Sequence, residues 1–536
     1  MQQFAALIDA LVYTRSRNEK LRLIAEYLQD TPDPDRGWAL AALTSSLDFP
    51  AVKSSTIRGL LQDFVDPVLW TLSRDFVGDT AETASLLWPN PTGDVAPPPT
   101  VSEVVDTLAV TNRSTAHTVL AGLLDRLDPS GRFALLKLAT GAMRIGVSSR
   151  LAKVAFAQAF GVSVEDVEEY WHGLEPPYTE LFAWAADGAE PPDTENKPNF
   201  RPFMLAHPLE DTVVDLENYA AEWKWDGIRV QLVHAGGETR VYSRSGDDIS
   251  ATFPEMIDAL DIPGVLDGEL LVRGDAQGGE EGGAASFNAL QQRLGRKTVS
   301  RKMLAESPAF VRLYDALIIE GEDLREMAWE RRRQRLEALV PRLPETYFDI
   351  SAIVEARDFG HLAEIREGTR DNAIEGLMLK RRDSPYVAGR KTGLWYKWKR
   401  DPLLIDCVLM YAQRGSGKRS SFYSDYTFGC WDGDPDRGAD LLPVGKAYSG
   451  FTDEELKKLD RHVRRNTVNR FGPVRETDKS LVFEVAFDSV HESKRHKSGL
   501  AMRFPRIHRI RWDKPPHEAD RVEALRALVQ IGRAHV

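Results

Sequence analysis

The sequence predicts a multidomain fold: an all-α N-terminal domain, an α+β middle domain and a small C-terminal β-barrel. Three observations predict it. At 536 residues the chain is too long for a single core. Apolar residues recur at three- and four-residue spacing as far as about residue 185, then in short β-branched runs from about 203. Between the two lies "DGAEPPDTENKPNFRP" (187–202), rich in Pro and acids and without periodicity, which reads as a linker.

The helical part begins with "FAALIDALVY" and "KLRLIAEYLQD" and continues through "TVSEVVDTLAV", with Thr100 or Ser102 as N-cap, and "SRLAKVAFAQAFG". In the middle part "IRVQLVH", "TRVYSR", "GVLDGELLV" and "AFVRLYDALII" are strands bounded by Gly or Asp. "SFNALQQRL" and "AWERRRQRLEALV" read as helices between antiparallel strands. From about 401 strands dominate ("LIDCVLMYA", "YTFGCW", "LVFEVAFDSV", "RIHRIRW"), and one helix, "TDEELKKLDRHVRR", interrupts them. That pattern fits a small barrel with an inserted helix.

Composition narrows the class. Hydrophobic content of 42% and charged content of 28% are those of a soluble globular protein. No apolar run reaches the roughly 18 residues of a membrane span, and the N-terminus has no basic stretch ahead of an apolar core. Two cysteines, Cys407 and Cys430, exclude a disulfide framework and a four-cysteine zinc site, so a cytoplasmic protein is expected. The net charge of −12 argues against a nucleic-acid partner, but the basic residues are clustered. Residues 380–400 hold eight Lys/Arg against Asp383, and 491–514 hold eight against Glu492 and Asp513. Lys137, Arg144, Arg150 and Lys153 stand with no acid among them.

"EWKWDGIRVQ" (222–231) sets Lys224 between two tryptophans that should point away from its own face of a strand, with Asp226-Gly227 as the turn that ends it. A lysine can be a nucleophile where neighbouring cations or burial lower its pKa. Downstream, Glu269 and Glu375 each interrupt an apolar strand, where a carboxylate needs a partner. Lys397 and Lys399 lie two apart, on one face of a strand, where they would favour a neutral amine nearby and bind phosphate. Carboxylates for a divalent metal and cations for phosphate oxygens are what phosphate chemistry requires.

The ordered segments "KWDGIR" (224–229), "SRSGDDIS" (243–250), "LDGELL" (266–271), "RLYDALII" (312–319), "AIEGLMLK" (373–380) and "WYKWKR" (395–400) resemble the motif series of ATP-dependent DNA ligases. "SGLAMRFPRIHRIRWDKP" (498–515) resembles the last motif of that series, and "FNALQQRLGRK" (287–297) a stretch common in these enzymes. "LKLATGAMRIGVSSRLAKVAFAQAFG" (136–161) resembles the minor-groove-binding part of the ligase helical domain. Length and layout look most like the bacterial, three-domain type. The resemblance implies a helical DNA-binding domain (1–190), an α+β nucleotidyltransferase (ATP-grasp-like) domain (200–400) and a C-terminal OB-fold β-barrel (401–536).

Residue by residue, Lys224 resembles the lysine that takes AMP from ATP. Glu222 resembles the residue lining the adenine site, and Arg229 and Arg244 resemble ribose or phosphate contacts. Glu269 resembles the carboxylate that binds ribose and helps place metal, and Glu375 the metal-binding carboxylate. Tyr314 stands where the family has an aromatic, usually Phe, stacked on adenine. Lys397 and Lys399 resemble the lysines on the α-phosphate. Lys391 stands where many members have arginine, with Arg390 beside it as the alternative contact. Arg503, Arg511, Asp513 and Lys514 resemble the residues that close over ATP to orient the leaving pyrophosphate. Arg144, Arg150 and Lys153 would contact DNA.

The implied cofactors are ATP and Mg²⁺, with Mn²⁺ as the alternative, since hard oxygen ligands suit both. The implied partner is nicked duplex DNA, held through its backbone by a monomer that encircles it, with no membrane involved. Replication, repair and recombination all call for such an enzyme. Three other classes share parts of this pattern. An RNA ligase or capping enzyme shares the 224–400 motifs but seldom carries such a helical domain. An NAD-dependent ligase would carry a four-cysteine finger and helix-hairpin-helix segments after the barrel. A non-catalytic end-binding scaffold would have lost Lys224, Glu269 or Glu375.

Overall fold

The computed structural model describes all residues except 63, 92–93, 142, 195, 211, 274–289, 291–292, 294–298, 369–372, 415–421, 494–495 and 535–536. Helices run from Gln2–Tyr13 to Thr179–Asp187, as the periodicity requires. Their caps are legible in the sequence: Thr100 accepts a bond from the Glu103 amide, and Asp128, Ser148 and Ser163 cap the helices that follow them. The described residues of 188–203 have no regular structure, but they are not a loose tether. Asn199 and Phe200 are buried, and Glu169 of the helical region pairs with Arg201 (3.2 Å) and Arg325 (3.3 Å) beyond it.

Two mainly antiparallel sheets form the middle of the molecule. The strands are β1 (Tyr219–Trp225), β2 (Ile228–Ala235), β3 (Glu238–Ser243), β4 (Gly264–Val272), β5 (Ala309–Ile319), β6 (Ile374–Arg381) and β7 (Trp395–Lys399). One sheet has the order His207–Pro208, β7, β6, β1, and the other contains β3, β2, β4, β5. Asp226-Gly227 therefore does more than end β1: it carries the chain from one sheet to the other. Only glycine fits there, because a Cβ on Gly227 would lie 2.5 Å from the Leu270 carbonyl oxygen. Trp223 and Trp225 are buried with Leu377 and Leu379 behind the first sheet, as alternation predicts. A fully buried ion pair, Arg332–Asp315 (2.8 Å), ties the helix Trp329–Leu339 to β5. The "AWERRRQRLEALV" helix is thus present, whereas "SFNALQQRL" and "FNALQQRLGRK" lie outside the described residues apart from Leu290 and Arg293.

The C-terminal part is built on β8 (Leu403–Arg414), which pairs with β9 (Tyr423–Trp431) on one side. On the other side it pairs with Val474–Thr477 and with β10 (Val482–Phe487), which in turn pairs with β11 (Arg506–Arg511). These strands and the helix Asp453–Arg465 surround one core that includes Cys407 and Cys430, both unoxidised. The described ladders form a seven-stranded sheet and a separate ribbon, Ser489–Glu492 with Leu500–Arg503. Closure into a barrel is not among their pairings. Among the described residues no helix is long and apolar enough to cross a membrane.

Candidate active site

A cavity of about 480 Å³ opens between the two sheets, and the C-terminal part supplies Arg503 and Phe504 to its wall. That volume is in the range of small-ligand sites. Register places its charges. Across the first sheet Lys224 of β1 stands opposite Gly376 of β6, and Gly376 opposite Lys399 of β7. One step along, Glu222, Met378 and Lys397 form the next row.

Glu375 reaches this face through a bulge. Strict alternation would put it with Leu377 and Leu379 in the apolar layer behind the sheet. The register shifts between Ile374 and Gly376, where Gly376 has φ +146°, and Glu375 turns toward the cavity instead. Because Gly376 has no side chain, Glu375 Oε2 fits between two ammonium groups, 2.5 Å from Lys224 Nζ and 3.0 Å from Lys399 Nζ. Burial pushes the Glu375 carboxyl up, but Lys224 and Lys399 outweigh it and hold the pKa below the usual value. Lys397 is held below the usual lysine range, first by partial burial and then by Arg390, Lys399, Lys224 and Arg244. A cavity wall this positive suits an anionic ligand.

Glu269, on β4 opposite Arg229, behaves differently. Burial pushes its pKa up to about 7, and Lys224 and Arg229 only partly offset that. A raised carboxyl pKa means that protonated Glu269 favours the folded state. The stability it contributes is whole below the unfolded value of 4.5 and is lost as pH rises to about 7. Glu269→Gln stays neutral, so its melting temperature should gain on the wild type between about pH 5 and about pH 7, with no further change above that. Parallel scanning calorimetry of the two proteins checks this.

Other expected residues fall into place unevenly. Glu222 is buried and pairs with Lys380 (3.1 Å) and Arg333 (3.6 Å) at one end of the cavity. Tyr314 lines the cavity with the Lys380 ammonium 4.6 Å over its ring. Arg229 also lines it, but its guanidinium is committed to Asp267 (2.9 Å) and the Met204 carbonyl (2.6 Å), over the Phe203 ring. Arg244 is exposed at the rim. Lys391 and Arg390 are exposed and neither lines the cavity; Arg390 acts there only through its charge. Of the four expected C-terminal residues, Arg503 alone lines the cavity, where it pairs with both oxygens of Asp226. Arg511, Asp513 and Lys514 do not line the cavity, because they are tied to one another and to Asp406 (Lys514–Asp406, 2.6 Å).

The basic cluster of the helical region also divides. Lys153 is buried, 4.5 Å over the Trp171 ring, and burial pulls its pKa down to about 8. Lys137 is buried against Asp79 (2.5 Å). Lys153, expected to contact DNA, is thus buried in this structure rather than exposed like Arg144. Arg144 is exposed, and Arg150 is half exposed beside Glu168 (3.4 Å). Sequence reasoning missed Lys380, Asp226 and Phe504 as cavity residues, and Gly376 as the site of the bulge that turns Glu375 inward. Lys380 had a signal, since on β6 it shares the face of Met378.

A metal fits this donor set in one way. Among the described residues no group of three or more His, Cys, Asp and Glu side chains could hold an ion alone. Glu375 and Glu269 supply two carboxylates to one cavity, which suits an ion held jointly with ligand phosphates.

A lysine ion-paired to a carboxylate in a positive cavity defines a site for lysine chemistry at a phosphate, the site of a nucleotidyltransferase. Comparison with known proteins gives the family. Residues 203–399 match the ATP dependent DNA ligase domain and 419–514 the ATP dependent DNA ligase C terminal region. A probable DNA ligase of Koribacter versatilis is 31% identical over 98% of this chain and 95% of its own length. DNA ligase 1 of Korarchaeum cryptofilum is 29% identical over 99% and 98%. The solved structure described as Pmar-Lig_Pre shares the fold, with a TM-score of 0.57 at 16% identity over 95% of this chain and 99% of that one. The chain belongs to the ATP-dependent DNA ligase family.

Proposed function

We propose that the protein seals nicks in duplex DNA with ATP, through AMP held covalently on Lys224. The observation that carries the reading is the row Lys224–Glu375–Lys399 in a cavity of nucleotide size. In the first step neutral Lys224 Nζ attacks the α-phosphorus. An N–P bond forms, the bond to pyrophosphate breaks, and the amine proton is lost to solvent. Lys397 and Lys399 are the candidates to hold the phosphate oxygens. In the second step an oxygen of the nick 5′-phosphate attacks the same phosphorus and Lys224 leaves. In the third the 3′-hydroxyl attacks the 5′-phosphorus and expels AMP. Glu375 and Glu269 would hold a divalent metal, Mg²⁺ in this reading, which neutralises phosphate charge.

Glu222 and Tyr314, at the Lys380 end, would receive the base. Arg229 would brace the cavity floor, and Arg244 would meet the ribose or phosphates at the rim. Arg511, Asp513 and Lys514 would reach the leaving pyrophosphate only if the C-terminal part moved and Asp406 released Arg511 and Lys514. We read residues 1–190 as the DNA-binding domain, 200–400 as the nucleotidyltransferase and 401–536 as an OB-fold barrel, with a monomer around the duplex. Arg144 and Arg150 are the exposed cations of the helical cluster that such a duplex would meet.

The test is sealing of a nicked duplex with ATP against NAD as donor. Ligation with ATP alone supports the reading, and ligation with NAD alone contradicts it. Nick binding should also weaken steeply with salt, because backbone contacts release counterions. A chain lacking residues 1–190 should bind nicks at least about tenfold more weakly, while still taking AMP. Fluorescence anisotropy of a labelled nicked duplex reads both.

A further inference from the structure

We propose that the C-terminal part carries a second nucleotide-binding site, separate from the cavity around Lys224, in which an unpaired base stacks on Trp512 while its phosphates meet a row of cations. A cleft of about 350 Å³ lies between the helix Asp453–Arg465 and the turn after β11. It is lined by Lys458, Arg461, His462, Arg465, Asn466 and Trp512. None of these lines the cavity around Lys224.

Three features point to a ligand. First, Lys458, Arg461 and Arg465 follow one another at helical spacing, so three cations share one face of the helix. Like charges so placed destabilise a helix, and the favourable field at its C-terminal end accounts for Arg465 but not for Lys458. Second, among the described residues none of the three pairs with a carboxylate, whereas Arg464 on the helix flank pairs with Asp460 (2.7 Å). In a chain of net charge −12 that row is left open. Third, Trp512 is 49% exposed although it is among the largest apolar side chains, and the His462 ring meets it edge-on at 5.6 Å. The opposite face of the helix, Leu456, Leu459 and Val463, is fully used in the core, so the cleft is not an unfilled part of it.

An aromatic face beside several cations is the pairing that recognises a base with its phosphate. An acidic peptide would need only the cations. A base inside a duplex is already stacked, so the site suits an unpaired nucleotide. Two sources share that chemistry: a single-stranded segment at a DNA end, and a free nucleotide. The proposal rests on the reading that this enzyme works on DNA. Self-adenylation and nick sealing are therefore measured on the same wild-type preparation, where their failure would count against that reading alone.

The experiment uses the full chain and a fluorescent oligothymidine about 12 nucleotides long. Trp512→Ala should weaken its binding about 5- to 100-fold, and Trp512→Phe should restore most of it. Arg461→Ala/Arg465→Ala should lower the slope of log affinity against log salt by about 1.4. An iodouridine-bearing oligonucleotide should photo-crosslink to the peptide containing Trp512. Thermal melting of each variant keeps loss of fold separate from loss of binding. In a second arm, wild-type protein already adenylated at Lys224 is dialysed against labelled AMP. Trp512-dependent AMP binding assigns the cleft to free nucleotide, and its absence together with oligothymidine binding assigns it to DNA. Folded variants that bind both probes like the wild type would overturn the proposal. So would variant-sensitive binding of polyglutamate without binding of either probe.

Discussion

Replacing Lys224 by alanine should reduce labelling of the protein by α-labelled ATP by on the order of 10³-fold or more, because no other lysine can take its place. Lys399 is the nearest alternative, and it stands across Gly376 on the far side of Glu375. The substitution removes an ammonium group that is itself held by Glu375 (2.5 Å), so the pocket loses one positive charge and Glu375 keeps Lys399. The fold should survive, since Lys224 points into the cavity rather than into either apolar layer. Binding of a nicked duplex should change little. Gel analysis of the labelled protein, with anisotropy on the same sample, separates the two effects. A covalent AMP adduct persisting in Lys224→Ala would remove this lysine from the chemistry.

Gly376→Ala should have the next largest effect, although position 376 carries no functional group. A Cβ there would lie 2.3 Å from the Trp398 carbonyl oxygen, and φ +146° is a conformation that alanine rarely adopts. Strain and overpacking together should cost roughly 2–4 kcal/mol. Relief requires β6 to slide or flatten, which would turn Glu375 back toward Leu377 and Leu379 and separate Lys224 from its partner. Self-adenylation should fall by about 10²-fold or more in protein that is still folded at low temperature. Denaturant melts give the stability term, and single-turnover labelling gives the chemical one. Wild-type labelling in this variant would show that the bulge does not position the site.

Much of the fold was legible because it depends on local pattern. The helix cap at Thr100, the short strand runs of β2, β4 and β5, and the change of period near residue 200 are all properties of short windows. Lys224, Glu269, Glu375, Lys397 and Lys399 were legible as charges on apolar strands, and the structure brings all five to one cavity. Residues set by tertiary context were not. Nothing in "SRLAKVAFAQAFG" shows that Lys153 lies over Trp171 rather than in solvent. Glu375 has the parity of the wrong face, and only the register shift at Gly376 corrects it. Asp226 read as a turn residue, because its partner Arg503 lies 277 positions away. Arg511, Asp513 and Lys514 read as companions of Arg503, but Arg511 and Lys514 pair with Asp406, and Asp513 pairs with Arg511.

The account turns on Lys224 as the carrier of AMP. The most direct measurement incubates the protein with ATP and Mg²⁺, locates the modified residue by peptide mass spectrometry, and then adds nicked duplex. The account predicts AMP on the peptide containing Lys224, released when nicked DNA is added and appearing with sealed product. AMP on another residue, or an adduct on Lys224 that nicked DNA does not discharge, would contradict it.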